Sequence, residues 1–132
     1  MKLGQPFHHH QETKTAFLKM HEYSITQSLL ELALAKANEA KASRITRINL
    51  VIGEMSGVVA ECVQTYFDLL SRETIAAGAG LSFEKRPTEL RCCRCETIFS
   101  PGELDWACPE CHEVGIEIVS GRECYMESIE VT

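Results

Sequence analysis

No run in this sequence approaches the ~18 consecutive apolar residues that a membrane-spanning helix requires. No apolar h-region follows the first methionine, so a secretory signal is not expected. Positive charge is short: 13 Lys and Arg stand against 19 Asp and Glu, for a net charge of −6. Aromatic residues make up only 7%. Without a basic, aromatic surface the chain is poorly suited to nucleic acid, whose phosphates dominate binding. No His-x-Glu signature accompanies the cysteines, so the general base of a zinc hydrolase or deaminase is missing. What remains is ordinary globular composition, 45% hydrophobic and 24% charged, over a length suited to one compact unit. The expectation is a cytoplasmic, non-enzymatic protein that meets neither membrane nor nucleic acid.

Cysteine, by contrast, is abundant, and the count of seven is odd. Cys92-Cys93-Arg94-Cys95 and Cys108-Pro109-Glu110-Cys111 form two Cys-x-x-Cys pairs with twelve residues between them. Each such pair makes a tight knuckle whose two sulfurs point the same way, and two knuckles close a tetrahedral site. Four thiolates at about 2.3 Å suit Zn2+, a d10 ion with no geometric preference of its own. The alternative of two disulfides fits an oxidising compartment, which the odd count and absent signal disfavour. A thioredoxin-type redox site needs one such pair on a βαβ unit, not two. Cys111-His112 completes a nominal haem-attachment pattern, but the first pair then has no role. Cys93 lies one residue from Cys95, poor geometry for a knuckle, and is read as a spectator.

The chain around this stretch has alternating character. Residues 1–19, with Gly4, Pro6 and His8-His9-His10, carry no periodicity and read as a disordered leader or extension. Ser24 and Gln27 resemble a capping box. Ile25, Leu29, Leu32 and Ala33 then mark one face of a helix from about Ile25 to Ala42. Ile48, Leu50 and Ile52 alternate in a strand over Arg44–Ile52. A turn at Gly53-Glu54-Met55-Ser56-Gly57 precedes a second helix from Ala60 to Glu73, with Val59, Val63, Tyr66, Phe67 and Leu70 inward. Leu81 and Phe83 begin a strand that Pro87 ends. Arg122–Thr132 forms a last strand, with Tyr125, Ile129 and Val131 on one phase and Cys124 and Met126 on the other.

These elements make an α+β fold: two helices packed on a roughly three-stranded sheet, residues 20–87 plus 122–132. A four-cysteine, zinc-ribbon-like unit, residues 88–121, is inserted before the last strand. Some thirty residues with few apolar side chains cannot fold unaided, so metal binding must supply the missing free energy. Cys62 and Cys124 fall on core elements and read as small buried hydrophobes. Glu54 reads either as a carboxylate supporting a metal site or as a solvated turn residue. Met20-His21-Glu22 offers a second donor set if the chain begins at Met20. The free amine, the His21 amide and the His21 ring then form adjoining chelate rings. Either the Glu22 amide or its carboxylate supplies a fourth donor. Such nitrogen-rich planar sets suit Ni2+ or Cu2+. The plain alternative is a solvated histidine near a chain start.

Taken together, Met20-His21-Glu22-Tyr23-Ser24, the segment Ile48 to Val58, Glu61-Cys62-Val63, Phe67, Gly80-Leu81, the paired knuckles and Ile129-Glu130-Val131 carry a resemblance. The chain resembles the HypA/HybF family of hydrogenase nickel-incorporation proteins over essentially all of residues 20–132. The resemblance implies a nickel metallochaperone with Ni2+ as transient cargo at Met20, His21 and Glu22. It implies structural Zn2+ at Cys92, Cys95, Cys108 and Cys111. It also implies two partners, a GTPase of the HypB type and the [NiFe]-hydrogenase large subunit, for a monomer or homodimer. A zinc-ribbon interaction adaptor without nickel transfer is the competing function. One departure concerns the leader, which places the Met20 nitrogen in a peptide bond. The other is the fifth thiol, Cys93.

Overall fold

The computed structural model describes residues 2–4, 18–102 and 106–132. Among these, the elements in chain order are β1 (Lys2–Gly4), α1 (Leu18–Glu39), β2 (Ile45–Gly53), α2 (Ala60–Leu70), β3 (Gly80–Arg86), β4 (Glu89–Cys92), β5 (Ile98–Phe99), β6 (Ile116–Ser120) and β7 (Cys124–Val131). One sheet has the order β1-β7-β2-β3 and a second has the order β5-β4-β6. The expected α+β architecture of two helices on a small sheet is present. The larger sheet has four strands rather than three, because Lys2–Gly4 pairs antiparallel with β7. That part of the leader is therefore ordered, and it satisfies backbone groups that an edge strand would otherwise expose. His8, His9 and His10 lie outside the described residues.

β2 is the spine of the larger sheet. It runs parallel to β3, a pairing that needs a crossover, here α2. On its other side it runs antiparallel to β7. The strands before and after the cysteine segment thus join one sheet, flanking β2 without pairing with each other. Both helices cover one face, enclosing Leu29, Ala33, Ile45, Ile48, Leu50, Val63, Phe67, Met126 and Ile129. Simple alternation would put Met126 and Ile129 on opposite faces. The register slips between Asn49 and Leu50, where Ser128 pairs with one and Met126 with the other. Glu127 is the extra residue of this β-bulge, and it returns Met126 to the face of Ile129. A second slip between Ile45 and Arg47 does the same for Ile45 and Ile48. Met126, Ile129 and Val131 thus share the core face, while half-buried Tyr125, paired with the fully buried Val51, lies on the other, so the last strand keeps apolar parts on both faces.

The helix boundaries also differ from expectation. α1 starts at Leu18, so Ser24 is an exposed residue inside the helix and caps nothing. α2 ends at Leu70, and Val59 stands at its N-cap, 41% exposed, outside the buried face. Tyr66 is only half-buried and meets the Tyr23 ring edge-on, 5.3 Å between centroids.

The turn after β2 holds the inserted sheet. Gly53 N–H donates to the Glu123 carbonyl at 2.7 Å, Glu54 N–H to Arg86 at 2.9 Å, and Met55 N–H to Gly121 at 2.6 Å. The Glu54 carboxylate accepts the Thr88 N–H at 2.7 Å. This turn therefore grips both chain segments that lead into and out of the cysteine unit. Glu54 is neither a metal-site carboxylate nor merely solvated; it is a clasp. A Cβ at Gly53 would lie 2.1 Å from the Gly121 carbonyl oxygen, with backbone on both sides. No rotamer relieves such an overlap. Gly53→Ala should therefore destabilise the fold by about 3 kcal/mol or more in chemical denaturation. Gly115→Ala, where the nearest atom is 3.9 Å away, should change stability by less than about 0.5 kcal/mol.

Candidate metal centre

The two knuckles repeat one local geometry. In each, the N–H four residues after the first cysteine returns to that cysteine's carbonyl: Glu96 to Cys92 at 3.0 Å and His112 to Cys108 at 2.9 Å. The cysteine's own N–H reaches the carbonyl five residues on, Thr97 for Cys92 at 3.0 Å and Glu113 for Cys108 at 2.9 Å. Glu96 and His112 take left-handed φ angles of 63° and 61°, which turn the chain sharply after the second cysteine. Backbone N–H groups are thereby aimed at the sulfurs. Arg94 and Cys95 donate to Cys92 Sγ at 3.3 and 3.4 Å, and Glu110 donates to Cys108 Sγ at 3.4 Å. Such bonds stabilise thiolate over thiol.

The knuckles face each other. All four ligand sulfurs, of Cys92, Cys95, Cys108 and Cys111, lie within 4.8 Å of one another. Across the knuckles, Cys92 Sγ lies 3.5 Å from Cys111 Sγ and Cys95 Sγ lies 3.5 Å from Cys108 Sγ. A tetrahedron with metal–sulfur bonds of about 2.3 Å has sulfur–sulfur edges of about 3.8 Å. The donor set thus fits a tetrahedral thiophilic cation, and every cysteine is free of disulfides. Cys92 and Cys108 are buried, Cys111 half-buried and Cys95 exposed. Cys93 is exposed and lies outside the four-sulfur group.

The sulfurs are not electrostatically alike. The Thr97 hydroxyl, 3.1 Å from Cys95 Sγ, and the Thr97 backbone pull that thiol down to about 6. The backbone at Glu113 draws Cys111 downward, but burial and hydrogen bonds with Cys92, Cys95 and Cys108 outweigh it and push that thiol up to about 12. Four sulfurs so close cannot all ionise alone; a bound dication removes the mutual repulsion. Thr97 and Glu113 carry part of the site and were not among the sequence candidates. Their signal is positional, five residues after the first cysteine of each pair.

The second predicted donor set lies in the first turns of α1. The Met20 nitrogen is in a peptide bond with Lys19, within the helix; the Met20 side chain lies outside the described residues. His21 is half-buried. Glu22 is 1% exposed, so its side chain is buried rather than presented to solvent. Burial raises its pKa, opposed by a hydrogen bond with the Cys62 thiol, the charge of His21, and backbone groups at Glu22 and Val59. Cys62 and Cys124 are half-buried rather than fully buried. Burial and the nearby Glu22 charge push the Cys124 thiol up to about 11.

Among the described residues of the metal unit, the buried apolar side chains are Leu90, Cys92 and Cys108. Cys108→Ala should therefore abolish the unit's amide-exchange protection while the protection of β2 and α2 persists. Loss of protection throughout the chain would show instead that the core depends on the sulfur cluster.

Residues 20–131 match the family described as hydrogenase/urease nickel incorporation, metallochaperone, hypA. The hydrogenase maturation factor HypA of Dehalococcoides mccartyi is 50% identical over 112 residues, covering 85% of this chain and 94% of the relative. The same factor from Caldanaerobacter subterraneus is 38% identical, with 85% and 99% covered. A solution structure of HypA protein superposes with a TM-score of 0.70 at 31% identity, covering 86% of this chain and 97% of that one. The nickel metallochaperone HypA from Helicobacter pylori gives 0.59 at 29% identity, covering 83% and 96%.

Proposed function

Because this chain belongs to the HypA family of nickel-incorporation metallochaperones, we propose that it carries Ni2+ toward the large subunit of a [NiFe]-hydrogenase. The observation behind this reading is that the family match begins at Met20, the residue whose amine a nickel site would use. In the proposed site Met20 gives its amine, His21 its backbone nitrogen and ring, and Glu22 completes the set. A helix leaves its first N–H groups without intrahelical partners. In a chain starting at Met20, the His21 and Glu22 N–H groups belong to that free first turn, so a metal can displace their protons without breaking the helix. With residues 1–19 attached, α1 extends back to Leu18, and the Met20 nitrogen is an amide rather than an amine.

The four-cysteine group is proposed to hold Zn2+ as a resident, structural ion. Its four sulfurs leave no open position for water or substrate, and the ion would supply the folding free energy that so small a core lacks. Soft sulfur for zinc and nitrogen for nickel keep the two metals apart. A GTPase of the HypB type and the hydrogenase subunit are the proposed partners, in the cytoplasm. Among the described residues no helix is long and apolar enough to cross a membrane.

Calorimetric titration with Ni2+ tests the reading. A chain beginning at Met20 should bind one Ni2+ with affinity rising with pH, since amine and amide protons must leave. His21→Ala should abolish that site and leave zinc content unchanged. The 132-residue chain should bind more weakly, through His8, His9 and His10 where it binds at all. Equal binding by both chains, insensitive to His21→Ala, would place nickel elsewhere. Absence of nickel binding altogether would favour the interaction adaptor.

A further inference from the structure

The two knuckles are alike in backbone and unlike around their sulfurs. Cys92 and Cys108, the first cysteines, are 0% and 1% exposed. Their sulfurs accept N–H groups of their own knuckles, Arg94 and Cys95 for one and Glu110 for the other. Of the second cysteines, Cys111 is half-buried and Cys95 is exposed. The thiolate is the nucleophile of a cysteine, and exposure decides which one a reagent in solution meets first. Cys95 is the open corner of the cluster.

That corner carries a hydroxyl. Thr97 Oγ1 lies 3.1 Å from Cys95 Sγ. A sulfur bound to a dication is a thiolate with no proton to give. In the loaded site the hydroxyl therefore donates and the sulfur accepts. The knuckle itself fixes the Thr97 main chain, because its carbonyl accepts the Cys92 N–H at 3.0 Å. The next residue, Ile98, begins β5 and pairs with Arg91 of β4. One threonine thus closes the first knuckle with its main chain and reaches the second sulfur with its side chain. The corresponding residue of the other knuckle is Glu113, whose carbonyl accepts the Cys108 N–H at 2.9 Å. An ionised carboxylate has no proton for a thiolate. It accepts the Val114 and Gly115 N–H groups instead, at 2.9 and 3.4 Å. The backbone symmetry is broken at this pair of side chains, and the hydroxyl falls at the exposed sulfur.

We infer that Cys95 is the reactive sulfur of the cluster, the one at which an electrophile enters and the ion is lost, and that Thr97 is a positioning residue whose hydroxyl restrains it. The inference rests on the reading of the four cysteines as a resident zinc site. A hydrogen bond to a charged sulfur is a strong one. It draws charge from the sulfur and lowers its nucleophilicity while leaving it a ligand. An electrophile such as iodoacetamide takes the sulfur's electron pair into a new S–C bond and loses iodide. The product is a thioether, neutral and a weaker ligand, so alkylation at Cys95 opens the site. Without the hydroxyl the same sulfur is richer in electrons and reacts faster.

Limited alkylation of the full, zinc-loaded chain with iodoacetamide tests this, in a Cys93→Ser background that removes the exposed thiol outside the cluster. Mass mapping should find Cys95 modified before Cys92, Cys108 and Cys111, with zinc released to a colour-forming indicator at the same rate. Thr97→Val, which keeps the shape and removes the hydroxyl, should speed both about tenfold, the scale of one hydrogen bond. Thr97→Ser, which restores a hydroxyl, should keep both near the wild-type rates. With Co2+ in place of zinc, the sulfur-to-metal charge-transfer band should move to longer wavelength in Thr97→Val and hold its position in Thr97→Ser. A role in packing alone would not move that band. Modification of another ligand cysteine first would overturn the assignment of Cys95, and this order is read with Thr97 intact, whatever the stability of the variants. Wild-type rates in Thr97→Val, or a Thr97→Ser chain as fast as Thr97→Val, would overturn the role of the hydroxyl. Failure of the zinc reading shows separately, as a purified chain without one zinc per molecule, and takes the inference with it.

Discussion

Four sulfurs within 4.8 Å of one another are the constraint from which this structure is best understood. Thiolates so close repel unless they share a cation, and the Thr97 hydroxyl and backbone favour the thiolate of Cys95, drawing it down to about 6. The surrounding backbone is arranged around the sulfurs. Two knuckles use the same pair of backbone bonds and the same left-handed residue. β4 ends at Cys92, and its partners β5 and β6 bring Thr97 and Glu113 into range of the knuckles. With so few buried aliphatic side chains, the unit has little else to hold it.

The rest of the molecule is built to carry this unit without sharing its chemistry. β2 supplies both neighbours of the insertion, β3 on one side and β7 on the other, so the unit leaves and returns at one end of one sheet. The turn at Gly53 and Glu54 closes over both segments with backbone bonds of 2.6 to 2.9 Å. Gly53 and Gly121 meet backbone to backbone there, and Gly121 has a φ of 114°; both positions exclude a side chain. The proposed cargo donors stand at the start of α1, on a different element with different donor atoms. Sulfur donors in one place and nitrogen donors in the other would favour different metal ions.

Much of this was readable in the residues, for a physical reason. The sulfur site is local: two short segments each fold into a knuckle on their own spacing, so a pattern of cysteines reveals it. The helices and β2 declare themselves through periodic burial, as Leu29, Ala33 and Ala37 or Ile48 and Leu50 do. What could not be read depends on contacts between distant segments. The bulge at Glu127 is visible only once β7 is laid against β2, and it reverses which face Met126 occupies. Glu54 looks like any turn carboxylate until Thr88 arrives from residues well downstream. The burial of the Glu22 side chain is not encoded in its own neighbourhood, and Ser24 looks like a cap because the backward extension of α1 is not encoded there either.

The central claim is that one chain keeps two metals in two chemically distinct sites. X-ray absorption at both edges, on a chain beginning at Met20 loaded with one equivalent each of Zn2+ and Ni2+, tests it most directly. The account predicts zinc with four sulfur neighbours at about 2.3 Å and nickel with nitrogen and oxygen neighbours only. Sulfur in the nickel shell, or nitrogen or oxygen in the zinc shell, would contradict it.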